Sequence, residues 1–241
     1  MTVITMKCRI ADLVVEVPAD KGLDFRCKDY TCKVEEGADI IIRTELYRRG
    51  KYDARISDET VAYMESAYQF YLELVNFDGF YLHSSAVVYD GKAYLFSGPC
   101  GVGKSTHTRL WQEAFGADAY VINDDKPALR RIDGIWYAYG TPWCGKDGIN
   151  KNEKAVLAGV CFLKQASENE ICRIERFDAM KRILGQTIYK FQDVNQLDKL
   201  LASLELFSQE IPVYELKNVP EQSAARLSFE TMSSGAQEAG L

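Results

Sequence analysis

The stretch Gly98-Pro99-Cys100-Gly101-Val102-Gly103-Lys104-Ser105-Thr106 constrains this chain more than any other. It fits G-x-x-x-x-G-K-[ST], a loop whose backbone N–H groups cradle phosphate oxygens, and it lies where that loop needs to lie. Before it, Ala93-Tyr94-Leu95-Phe96 is an apolar run that reads as a strand. After it, Thr106 to Phe115 holds no Gly or Pro, and Leu110, Trp111 and Phe115 share a helical face. Glycines let successive N–H groups converge on phosphate, and the N-terminus of the following helix adds about half a positive charge. The positions Gly98, Cys100, Gly101, Val102, Gly103, Lys104, Ser105 and Thr106 are therefore candidate contacts of a nucleoside triphosphate. Lys104 would reach the terminal phosphates and Ser105 would enter the shell of Mg2+. A chance match on a glycine-rich turn is the alternative, and the flanking strand and helix count against it.

A chain of 241 residues is long enough for one large α/β domain, or for such a domain with a small N-terminal layer. Its net charge of −6 argues against a nucleic-acid or anionic-membrane surface. No apolar run approaches the roughly 18 residues of a membrane span, and Met1 to Arg9 lacks the apolar core of a signal peptide. The seven cysteines are odd in number and scattered, and only two histidines accompany them, so a zinc site is short of ligands. Free thiols in a reducing cytoplasm are the expectation.

Residues 1–78 read as a small sheet with one helix. Leu13, Val15 and Val17 alternate and stop at Pro18; Ile40–Ile42 and Tyr52–Ile56 are further strand candidates. Ser57-Asp58-Glu59 caps a helix whose stripe is Val61, Met64, Tyr68, Leu72 and Val75, ending at Asp78-Gly79. Residues 79–232 read as the phosphate-binding core. Two strands, Phe80–Tyr89 and Lys92–Ser97, flank the hairpin signal Asp90-Gly91, and a second hairpin turns at Asp133-Gly134. Ala119–Asn123 is a short strand ending in Asp124-Asp125, Gly140–Lys146 a loop, and Ala155–Leu163 a buried strand. Phe177–Phe191 and Asn195–Phe207 read as helices, Ile211–Leu216 as a strand, and a last helix starts near Glu221. Residues 233–241 read as a flexible tail. Hairpins on both sides of the loop predict a mixed sheet rather than a doubly wound one.

Asp124 and Asp125 fall at the carboxyl end of a strand about twenty residues beyond Lys104, beside the phosphate loop. One carboxylate there suits Mg2+, and a second can take a proton from an attacking hydroxyl. Neighbours on a strand face opposite ways, so the two need not share a role. The competing reading is a turn, since Asn-Asp-Asp-Lys-Pro is rich in turn formers. His83 lies at the start of the strand that would pair with Ala93–Ser97, where an imidazole can orient a base or meet a phosphate; a satisfied structural histidine at a strand end is the equal alternative. His107, in the first turn of the following helix, reads as helix-cap packing. Cys100 sits inside the nest of N–H groups, which favours thiolate; a small residue fitting a turn is the plainer reading.

His83, the hairpin, Gly98–Ser105 and Asp124-Asp125 together resemble the bacterial HPr serine kinase/phosphorylase family, whose fold is similar to that of ATP-dependent phosphoenolpyruvate carboxykinase. Gly-Lys-Ser-Thr-His-Thr with Leu110-Trp111, then Asn-Asp-Asp-Lys-Pro and Gly-Thr-Pro-Trp, is similar to a compact branch that includes kinases of ribosomally made peptides, such as lasso-peptide precursors. The match covers about residues 80 to 165. It implies an α/β fold: a mixed-sheet P-loop kinase core of that type, with a small N-terminal α+β layer. It also implies ATP and Mg2+ as cofactors, and transfer to a serine or threonine hydroxyl of a peptide or small-protein acceptor, with a homo-oligomer open. By position, Asp124, His83 and Lys104 become catalytic candidates, with Asp124 the base, and Ser105 and Asp125 become metal candidates. The chain departs from the pattern at Ser84, where HPr kinases have Gly, and at Lys126, where they have Arg. It also lacks their later glutamate-arginine-glycine signature, which puts HPr as acceptor and a phosphorylase activity in doubt. Lys126, Trp143 and Lys146 are acceptor-side candidates, Trp143 equally well placed for the core. Two readings compete with the protein kinase: a kinase of a small alcohol or free amino acid, and a nucleotide-binding adaptor without catalysis.

Overall fold

Two residues of positive φ, Ala11 and Asp12, turn the first hairpin without a glycine, and no turn signal in the sequence announces it. The computed structural model describes residues 4–34 and 37–241; Met1–Val3, where the stretch tested for a signal peptide begins, and Glu35–Glu36 lie outside the described residues. In chain order the elements are β1 (Thr5–Ile10), β2 (Leu13–Pro18), α1 (Lys21–Cys27), β3 (Ile40–Ile41), α2 (Asp58–Leu74), β4 (Gly79–Tyr81), β5 (Ser84–Tyr89) and β6 (Lys92–Ser97). They continue with α3 (Lys104–Phe115), β7 (Tyr120–Asp125), β8 (Ala128–Ile132), β9 (Ile135–Tyr139), β10 (Lys154–Gln165), β11 (Glu170–Arg173), α4 (Arg176–Leu184), α5 (Val194–Glu210), β12 (Val213–Asn218) and α6 (Gln222–Glu238).

β1, β2 and β3 make a three-stranded sheet. The remaining strands make one mixed, nine-stranded sheet whose main path runs β4-β8-β9-β10-β6-β5-β7. β10 is the spine. One edge pairs parallel with β6; the other pairs antiparallel with β9 over Lys154–Val156 and parallel with β12 over Val160–Gln165. Both expected hairpins form, with Asp90-Gly91 and Asp133-Gly134 at positive φ.

Alternation along β6 splits its side chains between two cores. Ala93 and Leu95 join the cluster under α4 and α5, and Tyr94 and Phe96 join the cluster under α3 and α6. A third cluster gathers β1–β3, α1 and α2 against Tyr81, Ala128, Tyr139 and Trp143, so the N-terminal layer shares its core with the large sheet.

Several expectations are corrected. Phe80–Tyr89 is two strands, because β4 pairs with β8 while β5 pairs with β6 and β7. Tyr52–Ile56 is not a strand. The Arg49 guanidinium takes the carbonyls of Asp53, Ala54 and Ile56, and the Tyr52 hydroxyl goes to the buried Glu65. Ser57 does cap α2, and Val61, Leu72 and Val75 of the expected stripe are buried, but Met64 is exposed, Tyr68 is half-buried, and the face packed on the shared core is Ala67, Phe70, Tyr71 and Leu74. Helix α4 ends at Leu184, not Phe191. The expected tail from Ser233 is helical to Glu238, held by the burial of Gly235 and Ala236 against β12 and α3.

Candidate phosphate-binding site and acceptor cleft

Register brings the site together. Ser84 of β5 lies across from Ser97 on one side and from Asp125 on the other, and Ser85 lies across from Asp124. The end of β6, the start of β5 and the end of β7 therefore form one row, with His83 between the glycine loop and the aspartate pair. β10 runs parallel to β6 and brings Gln165 to the same edge, where its side chain reaches the Gly101 carbonyl at 3.5 Å.

In the loop, Gly98, Gly101 and Gly103 all hold positive φ, which an L side chain rarely adopts, and Gly103 starts α3. Lys104 is nearly buried and donates from Nζ to the carbonyls of Gly98 at 3.0 Å and Pro99 at 3.2 Å. Burial lowers its pKa, against the raising fields of Asp125, Cys100 and Asp124. Val102 and Thr106 are half-buried and Cys100 is exposed on the loop's outer face, next to Leu163 and Lys164.

The two aspartates diverge. Asp124 accepts from the Ser105 hydroxyl on both oxygens, at 3.0 and 2.9 Å, on the α3 side of the sheet. Asp125 has φ +96° and turns the other way, to His83 Nε2 at 3.0 Å and to the Lys126 ammonium. Burial opposes ionisation of Asp125, but the His83 hydrogen bond and Lys126 outweigh it and hold the carboxyl well below the usual range. Lys126 loses from burial and gains from Tyr63 and Asp125, a net upward shift. His83 is fixed from behind: its Nδ1 meets the Gln186 side chain at 3.1 Å, and its backbone N–H donates to the Gln186 carbonyl. Since Nε2 faces a carboxylate, that nitrogen carries a proton.

Nothing in the sequence points to Gln186, which lies over a hundred residues from His83 in the turn after α4. No motif singles out Asn123 either. Fully buried, it donates to the carbonyls of Thr141 and Trp143 and accepts from the Lys126 N–H, so it ties the aspartate turn to the 140–146 loop. Its one signal was adjacency to Asp124. His107 is structural. Burial pushes its pKa down to about 3, its Nε2 meets Ser228 at 3.1 Å, and its ring packs on Phe96.

Of the acceptor-side candidates, Trp143 is core: fully buried, stacked on Phe70 at 4.8 Å, its indole N–H donating to Ser66. It has no face left for an acceptor. Lys126 and the exposed Lys146 do line a cleft of about 800 Å³, together with Asp125 and residues of α1 and α2.

Among the described residues no group of three or more His, Cys, Asp or Glu could hold a metal unaided. The hard oxygens of Ser105 and Asp124 fit Mg2+, an ion that keeps waters and takes phosphate oxygens for most of its shell. All seven cysteines are free, and among the described residues no helix is long and apolar enough to cross a membrane.

No protein-family model matches the chain, and no curated protein matches it. Among solved structures, the Hpr(Ser) kinase/phosphatase from Coxiella burnetii is similar at 13% identity, over 66% of this chain and 97% of that one, with a TM-score of 0.29. A likeness of that extent says nothing about activity.

Proposed function

We propose that this protein is a phosphotransferase that uses ATP and Mg2+ and delivers the phosphoryl group to a serine or threonine hydroxyl of a peptide or small protein. The observation that carries the reading is the single row of Lys104, Ser105–Asp124 and His83–Asp125 at one sheet edge, open to a cleft on the Asp125 side. Phosphoryl transfer asks for position and charge neutralisation more than for covalent chemistry, and this row offers both.

The sequence-based roles of the two aspartates are exchanged in this proposal. Ser105 and Asp124, already bonded to each other, would hold Mg2+, which neutralises charge on the phosphates. Asp125 would be the base. His83 orients it, Gln186 orients His83, and the carboxylate borders the cleft where a hydroxyl would enter. As the hydroxyl oxygen bonds to the γ-phosphorus, its proton passes to Asp125 and the bond to the β-phosphate oxygen breaks, releasing ADP. Lys126 partners Asp125 before the acceptor arrives and is placed to meet a γ-phosphate oxygen afterwards. Lys104 must exchange the Gly98 and Pro99 carbonyls for phosphate oxygens when ATP binds.

The test is phosphorylation of serine-containing peptides, read by mass spectrometry, with wild type beside Lys104→Ala and Asp125→Asn. Phosphopeptide from wild type, with transfer lost in Lys104→Ala and slowed about 10²–10⁴-fold in Asp125→Asn, is the expected result. ATP binding with no hydroxyl phosphorylated, or transfer indifferent to both substitutions, would remove the reading. A phosphorylated free amino acid with no peptide product would move it to a small-molecule kinase.

A further inference from the structure

The cleft beside Asp125 is built by the N-terminal layer. α1 and α2 form one wall and the 144–146 loop the other. Tyr63 of α2 joins the walls, its hydroxyl donating to the Cys144 carbonyl at 2.6 Å. Two cations flank its ring: the Arg26 guanidinium 4.3 Å from the centroid and the Lys126 ammonium 5.5 Å from it. Lys146 stands exposed at the rim. Neither Arg26 nor Lys146 is in an ion pair among the described residues. Only Asp125 and Glu59 answer these three cations within the lining, a local excess of positive charge on a protein of net charge −6. Beside them two apolar side chains stand in solvent, Phe25 at 83% exposure and Met64 at 41%.

We infer that this cleft seats the acceptor, and that the acceptor is a peptide segment carrying an acidic and an apolar side chain close to the phosphorylated hydroxyl. The inference rests on the kinase reading above and adds the acceptor's chemistry to it. Three considerations favour a peptide. A cleft of about 800 Å³ is in the upper part of the range for ligand sites and far exceeds a free serine. The three cations come from separate segments of the lining, α1, the aspartate turn and the 144–146 loop, so they match charges spaced along a chain rather than one carboxylate. Exposed Phe25 and Met64 offer an apolar contact that a small polar alcohol would not use. The Arg26 guanidinium sits over the Tyr63 ring and spends one N–H on the Cys144 sulfur at 3.9 Å, a weak acceptor that a carboxylate would outcompete.

The probe is a set of fluorescein-labelled heptapeptides with one central serine: one flanked by Leu and Asp, one with each Asp replaced by Lys, and one with each Leu replaced by Asn. Affinity is read by fluorescence anisotropy in wild type, in Lys104→Ala and in the double variant Arg26→Gln/Lys146→Gln, with melting temperatures checking that each is folded. The acidic, apolar peptide is expected to bind at least tenfold tighter than either counterpart, and the double variant to cut its advantage over the Lys peptide below threefold. Equal affinities, a preference for the Lys peptide, a preference that survives the double variant, or no binding at millimolar peptide would each overturn the proposal. Because Lys104→Ala binds without transferring, the two readings fail separately. Selective binding with no transfer in wild type removes the kinase, whereas transfer to some hydroxyl peptide without this selectivity removes the acceptor assignment alone.

Discussion

Adjacent aspartates on β7 serve opposite sides of one sheet edge, and which faces which is decided by backbone detail. The pairing of β5 with β7 shifts register between Ala86 and Val87, and Asp125 turns at φ +96°, so simple alternation cannot be counted from the sequence. For that reason the glycine loop, His83 and the aspartate pair are legible as neighbours, whereas which carboxylate meets Ser105 and which meets His83 is not. Gln186 was illegible altogether, since nothing local links it to His83. Substitution separates the roles. Asp124→Asn is expected to raise the Mg2+ concentration needed for half-maximal transfer, with kcat at saturating Mg2+ falling less than in Asp125→Asn; a titration of rate against Mg2+ in both variants decides it. The Asp125 carboxyl is held below its unfolded value, so the stability it supplies is complete above a pKa of about 3.9 and is lost as pH falls toward the folded value. Wild type is therefore expected to exceed Asp125→Asn in urea midpoint at pH 7, with the gap closing as pH falls below about 4.

At the scale of elements, helix existence was read more surely than helix facing. Ser57 and the acidic first turn announce α2, and Val61, Leu72 and Val75 of its expected stripe are buried, yet Met64 is exposed, because a helix with apolar or aromatic residues on most of its faces has no unique stripe. Trp143 settles the matter by stacking on Phe70 and meeting Tyr71 edge-on. Phe70→Ala is expected to cost about 3–5 kcal/mol in chemical denaturation. β1 escaped notice because its hairpin turns on Ala11 and Asp12. The C-terminal helix was misread because Ser233-Ser234-Gly235 has the composition of a loop. There glycine is required by a close approach: a Cβ at Gly235 would collide with the buried Tyr214 hydroxyl. Gly235→Ala, which in a free helix stabilises by about 1 kcal/mol, is here expected to destabilise by about 1–3 kcal/mol and to lower the melting temperature.

Over the whole molecule, each of the three tryptophans marks one core: Trp143 the cluster joining the N-terminal layer to the large sheet, Trp111 that under α3 and α6, and Trp136 that under α4 and α5. The layer was foreseen as a sheet with a helix; its fusion with the large sheet was not, because shared burial between distant segments leaves no periodic trace. Variants retaining a single tryptophan, the others replaced by Phe, are expected to show one urea midpoint by fluorescence wherever the tryptophan sits. An earlier transition at Trp143 alone would mean that the layer unfolds by itself. The same tryptophan also sets an order of events at the ribosome. Phe70 and Tyr71 emerge 73 and 72 residues ahead of Trp143, so at about 5–20 residues per second they wait roughly 4–15 s for the ring that covers them. During that interval the nascent chain lacks the ring that covers this aromatic face, so chaperone contacts with stalled nascent chains are expected to peak at mid-chain rather than at its end.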